Sequence, residues 1–367
     1  MTQNTMAEFQ QLTVASVHKE TEDALCVSFV VAASQQALFR FSHGQYLTFK
    51  AQIDGEEVRR SYSICAGVDD DLLQVAIKHV PGGVFSSYAI DSIKTGTVLD
   101  VLPPAGTFTC DLHPDNEKRY LCIAAGSGIT PIISIVKSIL SREPNSQVSL
   151  LYGNQRVASI MFREALERLK NRYMSRLQLI HILSRESRDT EILNGRIDNK
   201  KGAELGKHLL DIPGTDEFFL CGPEGMISEV SRGLRASGVD EARIHYELFG
   251  RSADDAAAVV EKHHARARRL GGKMCLVTVK SDGRETEFEL SADGENILDA
   301  AMHAGLDLPY ACKGGVCATC KAKLESGQVE MDLNHALEPD ELASGYVLSC
   351  QAHPVSDTVV INFDLAR

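Results

Sequence analysis

The sequence predicts a chain of three folded domains: an antiparallel β-barrel, a doubly wound α/β domain and a small α+β domain, in that order. Three observations support this prediction. Short β-branched runs between turn signals fill the first part, strands alternate with helices in the middle, and a hairpin and one helix precede a cysteine-rich loop near the end. The length of 367 residues agrees, because it exceeds what a single core normally holds.

The first domain is expected over residues 1–112. Turn signals such as His43-Gly44, Asp54-Gly55 and Pro81-Gly82-Gly83 separate its apolar runs. Several short strands at this spacing favour an antiparallel barrel or sandwich. The expected strands are Leu12–Val17, Ala24–Val31, Gln45–Lys50, Val58–Cys65, Leu72–Lys78 and Thr97–Leu102.

The second domain is expected over residues 113–250. Its strand Tyr120–Ala125 runs into a Gly-x-Gly turn and then a helix over Ile132–Leu140, with Thr130 as the expected N-cap and Pro131 as the first helical residue. Such a turn can put backbone N–H groups beneath a pyrophosphate, although it also occurs as plain structure. The remaining elements alternate as in a doubly wound parallel sheet: strands Val148–Tyr152, Leu177–Leu183 and Glu217–Cys221, and a helix over Ser159–Asn171.

Residues 251–272 are rich in alanine and charge and end in Gly271-Gly272. Their basic run, from Lys262 to Arg269, could bind a partner. The composition favours a solvated linker or a short helix instead.

The third domain is expected over residues 273–367. Strands over Met274–Lys280 and Glu285–Leu290 form a predicted hairpin around Ser281-Asp282-Gly283. A helix over Asn296–Ala304 and a last strand over Thr358–Phe363 complete the elements. They predict a small mixed sheet that grips one helix.

Four cysteines of this third domain have the spacing C-x4-C-x2-C followed by one distant cysteine, which is the ligand pattern of plant-type [2Fe–2S] clusters. The predicted ligands are Cys312, Cys317, Cys320 and Cys350. A loop around a cluster needs unusual φ values and backbone N–H groups turned towards sulfur, which Gly314 and Gly315 are expected to supply. A zinc site or four unrelated core cysteines are the alternatives, but zinc sites favour two paired knuckles.

The charge of the chain is uneven. The last 95 residues contain seven basic and sixteen acidic side chains, a net charge of −9 out of −12 for the whole chain. Nucleic acid is therefore not an expected partner. An acidic face suits steering towards a basic partner, although it also keeps a small domain soluble. The sequence has no apolar run of about 20 residues and no basic, apolar leader, so we expect a cytoplasmic protein with reduced thiols and no membrane span.

Arg60-Ser61-Tyr62-Ser63 resembles the R-x-Y-[ST] signature of the ferredoxin–NADP reductase superfamily. The resemblance implies that Arg60 binds a flavin phosphate, that Tyr62 packs on the isoalloxazine, and that Ser63 donates to flavin N5. These roles need a cation for phosphate, an aromatic face for the ring and a donor at the hydride-accepting atom. Pro81-Gly82-Gly83-Val84-Phe85-Ser86 resembles the second flavin element of the same family, which holds the pyrophosphate.

Three further stretches resemble the nicotinamide side of that family. Gly126–Pro131 resembles its G-x-G-x-x-P turn, and Phe219–Pro223 resembles its C-G-P motif, which implies that Cys221 lies beside the nicotinamide ring. Ser184-Arg185-Glu186 resembles the element that grips an adenosine 2′-phosphate, which implies NADPH; Glu186 could instead take the acidic part of an NADH site. Near the end of the domain, the resemblance implies that Glu247 and Phe249 approach the flavin; the alternative is a last β-strand with no special role.

The motifs together give a set of candidate site residues. The predicted catalytic residues are Ser63, Cys221 and Glu247, and the predicted metal ligands are the four cysteines named above. The predicted cofactor-binding residues are Arg60, Ser61, Tyr62, Ser63, Ile77, Lys78, Gly82, Gly83, Val84, Ser86, Gly126, Ser127, Gly128, Thr130, Pro131, Ser184, Arg185, Cys221, Gly222, Pro223 and Phe249.

The domain order over the whole chain resembles the reductase components of bacterial oxygenases, in which the third domain is a β-grasp ferredoxin. Three stretches resemble the reductases of phenylacetyl-CoA epoxidases, which are di-iron multicomponent monooxygenases: Gly55–Cys65, Leu308–Cys320 and Leu337–Gln351. The resemblance implies electron flow from NADPH through FAD (rather than FMN) and [2Fe–2S] to separate di-iron oxygenase subunits. Lys313 and Ala318 depart from plant ferredoxins, where arginine and serine are common.

Other functions remain open at this point. The same type of enzyme could serve a ring-hydroxylating dioxygenase or another monooxygenase. The chain could also be a non-catalytic iron–sulfur or zinc protein, such as a redox sensor. No paired Glu-x-x-His pattern of a di-iron site occurs in the sequence, so this chain is not expected to activate oxygen itself.

Overall fold

A computed structural model describes residues 8–250 and 253–366. They form two compact units, one of residues 10–58 and 62–248 and one made chiefly of residues from Phe249 onward. The strands of the first unit are β1 (Gln10–Thr21), β2 (Ala24–Val30), β3 (Tyr46–Ile53), β4 (Glu56–Ser63), β5 (Leu73–Lys78), β6 (Val98–Val101), β7 (Arg119–Ala125), β8 (Gln147–Asn154), β9 (Leu177–Leu183), β10 (Glu217–Cys221) and β11 (Ile244–Glu247). Its helices are α1 (Val84–Ser92), α2 (Ile129–Arg142), α3 (Arg163–Arg172), α4 (Asn199–His208) and α5 (Glu224–Ala236).

The second unit has a helix before its sheet. Its helices are α6 (Ala253–Leu270), α7 (Ile297–His303) and α8 (Pro339–Ala343). Its strands are β12 (Met274–Ser281), β13 (Arg284–Ser291), β14 (Lys321–Ser326), β15 (Val329–Met331), β16 (Tyr346–Leu348), β17 (Ala352–Pro354) and β18 (Thr358–Asn362).

The first six strands form one sheet in the order β4-β3-β6-β1-β2-β5. The described pairings of β1, β2, β3, β5 and β6 are antiparallel. A bridge between Ile64 and Val75 brings the end of β4 beside β5, the strand at the other edge, so the sheet closes. Leu12 and Val14 alternate with exposed neighbours, as expected for strands with one buried face. The prediction of an antiparallel barrel with six strands is confirmed.

The second domain has a parallel sheet in the order β11-β10-β7-β8-β9. Helix α2 is apolar on nearly all sides because it lies between this sheet and the barrel. On the barrel side, the Ser134 hydroxyl donates to the Ala66 carbonyl at 2.6 Å, and Lys137 pairs with Asp70 at 2.8 Å. The predicted doubly wound sheet is confirmed. A few barrel residues, such as Cys26 and Cys65, belong to the core of this domain, while the barrel also has a core of its own.

The start of α2 differs from the prediction. The helix begins at Ile129 with Gly128 as its N-cap, and no side chain caps it. Thr130 lies inside the first turn, where its hydroxyl donates to the Ser127 carbonyl at 3.0 Å, and Pro131 is the third helical residue. The predicted N-cap was wrong because residues 126–128 already form a 3₁₀ turn that leads directly into the α-helix.

The sheet of the second unit has the order β13-β12-β18-β14-β16, with β12 and β18 parallel and the other pairings antiparallel. Helix α7 packs its buried face, including Ile297 and Leu298, against Val277 and Ile361 of this sheet. The short strands β15 and β17 pair separately. This arrangement confirms the predicted small mixed sheet that grips one helix.

The segment predicted as a linker contains α6, and this helix packs on the rest of its unit. Arg266 is 1% exposed and pairs with Asp332 at 2.9 Å, and Lys262 donates to the Asp332 carbonyl at 2.6 Å. Arg269 pairs with Glu330. Lys262, Arg266 and Arg269 therefore bind acidic residues or carbonyl groups of their own unit. These three residues do not belong to a solvated linker.

Candidate functional site

Ser63, Cys221 and Glu247, which we call the hydride site, come together at the ends of three strands. Cys221 and Glu247 are direct neighbours in the parallel pairing of β10 with β11. The Ser63 hydroxyl at the end of β4 donates to Oε2 of Glu247 at 3.2 Å. The structure thus brings together the three predicted catalytic residues, which come from both domains of the first unit.

The surroundings of the hydride site favour neutral side chains. Burial raises the pKa of Glu247 to about 8, and the hydrogen bond from Ser63 offsets only part of this effect. Burial also raises the pKa of the Cys221 thiol, and the neighbouring carboxyl group of Glu247 adds to it. At neutral pH the site therefore presents a protonated carboxyl group, a hydroxyl and a thiol, which can donate hydrogen bonds without adding charge.

The glycine-rich turn touches the hydride site through its backbone. A Cβ atom on Gly128 would lie 2.2 Å from the Cys221 carbonyl oxygen, so no other residue fits there. A Cβ on Gly222 would lie 2.7 Å from Cε of Met226 and 3.1 Å from Cβ of Ala125. The loops after β7 and β10 thus meet at the point where the strand order reverses, which is where open α/β sheets bind their ligands.

Backbone donors are available at this crevice for a pyrophosphate. Gly126 has a φ of +55°, its carbonyl accepts from the Tyr152 hydroxyl at 3.0 Å, and Ser127 follows it in the turn. The uncapped start of α2 presents N–H groups and a positive helix end. Pro223 is the N-cap of α5, and so a second helix begins at the same crevice. These features fit a dinucleotide lying across the carboxyl ends of the strands.

Ser184 and Arg185 lie away from the hydride site, just after the edge strand β9. Three strand spacings separate β9 from β10, about 14–15 Å. Arg185 is exposed, and the Ser184 hydroxyl donates weakly to the Asn154 carbonyl at 3.4 Å. The Glu186 carboxylate accepts the backbone N–H of Val157 at 2.8 Å, so Glu186 is already held by the protein.

The predicted flavin residues form two groups on the barrel. The ring centroid of Tyr62 lies 5.6 Å from that of Phe85 and 6.1 Å from that of Phe49. Because Tyr62 is only half-buried, part of its surface is open to a ligand. Arg60 is exposed, with Nη1 donating to the Arg59 carbonyl at 2.7 Å, and Ser61 between Arg60 and Tyr62 is half-buried.

The second group surrounds the start of α1. Gly82 has a φ of +76°, Gly83 is the N-cap, and Val84 is the exposed first residue of the helix. The Ser86 hydroxyl accepts the Val80 N–H at 3.1 Å and so closes the loop from within.

Ile77 lies in the barrel core, so that only its backbone can meet a cofactor. Lys78 pairs with Asp23 at 3.4 Å. Phe249, after β11, is 47% exposed.

The four predicted metal ligands converge in the second unit. Cys312 and Cys317 are hydrogen-bonded neighbours, and so are Cys320 and Cys350. We call the segment Cys312–Cys320 the cluster loop. The hydrogen bond from Cys317 and those from backbone N–H groups lower the pKa of Cys312 to about 5, despite its burial. Two thiol pairs with N–H donors around them fit a cluster of two irons, since ligation requires thiolates.

The left-handed residues of the cluster loop match the prediction only in part. Gly315 has a φ of +76°, but the other left-handed residues are Lys313 at +48° and Ala318 at +50°, while Gly314 is not among them. Gly314 donates its N–H to the Cys312 sulfur at 3.2 Å, as predicted for a glycine of this loop. Lys313 is anchored by an ion pair with Asp299 at 2.6 Å, which helps to hold a conformation that costs about 1 kcal/mol or more.

Sequence reasoning missed Gln351. Its side-chain amide donates to the Lys313 carbonyl at 3.1 Å and to the Cys350 sulfur at 3.4 Å. Its position next to a ligand was the only signal in the sequence that could have pointed to it. All ten cysteines of the chain are free thiols in the structure.

Three family models match successive parts of the chain. A model of the oxidoreductase FAD-binding domain matches residues 11–110, and one of the oxidoreductase NAD-binding domain matches residues 122–232. A model of the 2Fe-2S iron-sulfur cluster binding domain matches residues 279–355. The chain is therefore an oxidoreductase with binding domains for FAD, a nicotinamide nucleotide and a [2Fe–2S] cluster. None of the described helices combines the length and apolar character that a membrane span requires.

Several relatives match over nearly their whole length. The chain is 47% identical to a subunit of the 1,2-phenylacetyl-CoA epoxidase of Escherichia coli (strain K12), over 98% of this chain and 99% of that protein. It is 34% identical to the ferredoxin reductase component of 3-ketosteroid-9-alpha-monooxygenase of Mycolicibacterium smegmatis, over 96% and 97%. The crystal structure of phthalate dioxygenase reductase has the same fold, with a TM-score of 0.58 at 21% identity over 97% and 98% of the two chains. The chain thus belongs to the family of oxygenase reductase components that join FAD-binding, NAD-binding and [2Fe–2S] domains in one polypeptide, the family to which this subunit of 1,2-phenylacetyl-CoA epoxidase belongs.

Proposed function

We propose that this chain carries electrons from NADPH to the di-iron oxygenase of a phenylacetyl-CoA epoxidase, in the cytoplasm. The observation that carries the proposal is the 47% identity to an epoxidase subunit over 98% of the chain, which includes both electron-transfer regions. Residues 1–112 would bind FAD, residues 113–250 would bind NADPH and residues 273–367 would bind the [2Fe–2S] cluster.

The chemistry divides between the bound groups and the side chains around them. When bound, the flavin accepts hydride from the nicotinamide and the [2Fe–2S] cluster carries single electrons to the oxygenase. Ser63 would donate a hydrogen bond at the hydride-accepting atom, and protonated Glu247 would orient the Ser63 hydroxyl. Cys221 would pack against the nicotinamide face as a neutral thiol. The buried backbone around Gly128 would help to keep water from this site.

Side chains on the barrel would hold the flavin in register with this site. Tyr62 would pack on the ring, and Arg60 would pair with a phosphate. The start of α1, from Gly82 to Ser86, would supply backbone N–H groups for the pyrophosphate of FAD. Phe249 would shield the ring from solvent.

The preference for NADPH rests on two side chains after β9. The Glu186 carboxylate is engaged by the Val157 N–H, which argues against its use on a ribose hydroxyl. Arg185 is exposed and free to meet a 2′-phosphate, and a charge-assisted pair of this kind contributes roughly 1.5–3 kcal/mol.

The test of this preference is Arg185→Ala, assayed with NADPH and with NADH. The loss of the charge-assisted pair should cost about ten- to a hundredfold in kcat/KM with NADPH and leave NADH almost unchanged. Arg232→Ala, an exposed arginine within α5, is the matched control and should change neither value. Equal losses with both nucleotides would mean that Arg185 is structural.

The acceptor is tested by reconstitution. The holoprotein should support NADPH-dependent oxygen uptake coupled to epoxide formation when it is mixed with the epoxidase subunits and phenylacetyl-CoA. A Rieske-type dioxygenase and a 3-ketosteroid monooxygenase serve as competing acceptors. Faster coupled turnover with either of these would overturn the assignment of the acceptor while leaving the reductase chemistry intact.

A further inference from the structure

Helix α6 makes contacts that lead towards the cluster loop. It packs against residues 330–335, which we call the brace segment. The contacts are of several kinds: Arg269 pairs with Glu330, Lys262 donates to the carbonyls of Met331 at 3.2 Å and Asp332 at 2.6 Å, Arg266 pairs with Asp332 at 2.9 Å, and Asp255 pairs with His335 at 3.1 Å. The helix thus contacts the brace segment at its first three residues and at its last one.

The backbone of the brace segment contacts the cluster site. The His335 N–H donates to the Gly315 carbonyl at 2.9 Å, and the Asp332 N–H donates to the Gln351 carbonyl at 3.0 Å. A Cβ on Gly315 would lie 3.2 Å from the Leu333 carbonyl oxygen, so the two backbones are closely packed. The brace segment therefore fixes the positions of Gly315 and Gln351.

Gly315 and Gln351 donate hydrogen bonds to the Cys350 sulfur, beside the Cys320 thiol. Gly315 does so through its backbone N–H, and Gln351 does so through its side-chain amide at 3.4 Å. Hydrogen bonds to ligand sulfurs stabilise the reduced form of a cluster and raise its reduction potential. A displacement of the brace segment would loosen both donors at once.

Arg266 is the most constrained contact between helix and brace segment. Its side chain is 1% exposed, and among the described residues its Nε and Nη2 atoms have no hydrogen-bond partner. The pair with Oδ1 of Asp332 is thus the interaction that compensates its buried charge. Oδ2 of the same carboxylate lies 3.0 Å from Nε2 of buried His353, three residues after Cys350.

We infer that Arg266 is a positioning residue of the [2Fe–2S] site: through Asp332 it fixes the backbone that aims Gly315 and Gln351 at the Cys350 sulfur. Helix α6 is then a part of the cluster-binding unit. The inference rests on the proposed assignment of the cluster and goes beyond it, because the path from Arg266 to the Cys350 sulfur runs through Asp332 and the brace segment rather than through a ligand.

The test uses the full-length holoprotein with Arg266→Met, which keeps an unbranched apolar stem and removes the charge. We expect iron release to a chelator to be about tenfold faster or more, since breaking a buried ion pair strands its partner. The reduction potential of the cluster, measured by an EPR-monitored titration, should become more negative. The substitution removes the positive charge of Arg266, and the hydrogen bonds from Gly315 and Gln351 to the Cys350 sulfur are weakened. Arg266→Lys should restore most of both properties.

Arg268→Met is the matched control, because Arg268 lies two residues further along α6 and is exposed. It should leave iron release and potential at their wild-type values. If Arg266→Met does not fold, Lys262→Met provides the same comparison, since it removes only the donors to two brace-segment carbonyls and should give a smaller shift in the same direction.

Two results would overturn the inference: wild-type iron release and potential in a folded Arg266→Met protein, or equal changes in the Arg268→Met control. A wild-type protein without iron and sulfide would instead overturn the cluster assignment itself. The two failures are therefore distinguishable by the analysis of the wild type alone.

Discussion

Three of the four cluster cysteines lie within nine residues of one loop, whereas Ser63, Cys221 and Glu247 come from three strands of two domains. The hydrogen bond between Ser63 and Glu247 joins residues 184 positions apart. The cluster loop depends on local spacing and on a few left-handed residues. The hydride site depends on how the barrel and the parallel sheet pack. The two regions should therefore respond differently to substitution.

The largest expected effect is the loss of iron when a cluster ligand is removed, because this change should affect the cluster loop and leave the hydride site intact. In Cys350→Ser, one of four thiolates is lost, so most of the iron and the cluster absorption should disappear while flavin content stays at the wild-type level. Cys275→Ser is the control, since Cys275 is a buried thiol of the same unit that donates to the Pro354 carbonyl at 3.8 Å. Loss of iron in the control but not in Cys350→Ser would refute the ligand assignment.

Truncation tests the same separation at the level of domains. A chain ending at Gly250 keeps the first compact unit and should reduce ferricyanide but lose most cytochrome c reduction. In the full chain the cytochrome c rate should fall with added salt, because a Debye length of about 8 Å at 0.15 M screens steering by the acidic unit. Undiminished cytochrome c reduction by the truncated chain would mean that electrons leave without the cluster.

The close packing behind the hydride site predicts a smaller, localised effect. Gly128→Ala forces a Cβ to within 2.2 Å of the Cys221 carbonyl, which should destabilise the protein by about 1–3 kcal/mol and raise the KM for the nicotinamide nucleotide. Gly202→Ala in α4 is the control, since nothing lies within 4 Å of its Cβ position, and it should be neutral or stabilising by about 0.5–1 kcal/mol. Thermal unfolding and steady-state kinetics measure both. Similar behaviour of the two variants would exclude the steric explanation.

A pH dependence of stability is expected to arise at Glu247. Burial raises its pKa to about 8 from an ordinary value near 4.5, so the folded state keeps a proton that the unfolded state has lost. Stability from this group is therefore lost as pH rises from about 4.5 to about 8. The glutamine of Glu247→Gln cannot lose a proton. The unfolding midpoint of this variant should therefore rise relative to that of the wild type as the pH increases from about 4.5 to about 8.

Glu164→Gln, at an exposed carboxylate on α3, is the matched control for this titration. Its unfolding midpoint over the same pH series shows what the same substitution does at an exposed position. A constant difference between Glu247→Gln and the wild type would show that Glu247 does not change its protonation state in this range.

The sequence by itself determined the features that have local causes. Short β-branched runs between turn signals predicted the six barrel strands, and apolar runs alternating with helical patterns predicted four of the five parallel strands of the second domain, because these signals come from neighbouring residues. The cysteine spacing gave the four ligands, since three of them share one loop. The order of several short motifs, none specific alone, gave the family.

Tertiary structure alone decided what depends on distant neighbours. The composition of α6 resembles that of a solvated segment, and only the position of Asp332 explains a buried Arg266. Only glycine fits at position 128, because the carbonyl of Cys221, 93 residues further along the chain, lies against it. The raised pKa of Glu247 follows from its burial. In the cluster loop the left-handed positions fell on Lys313 and Ala318 rather than on Gly314. A motif records which residues are present, but burial and backbone strain arise from the surfaces that pack around them.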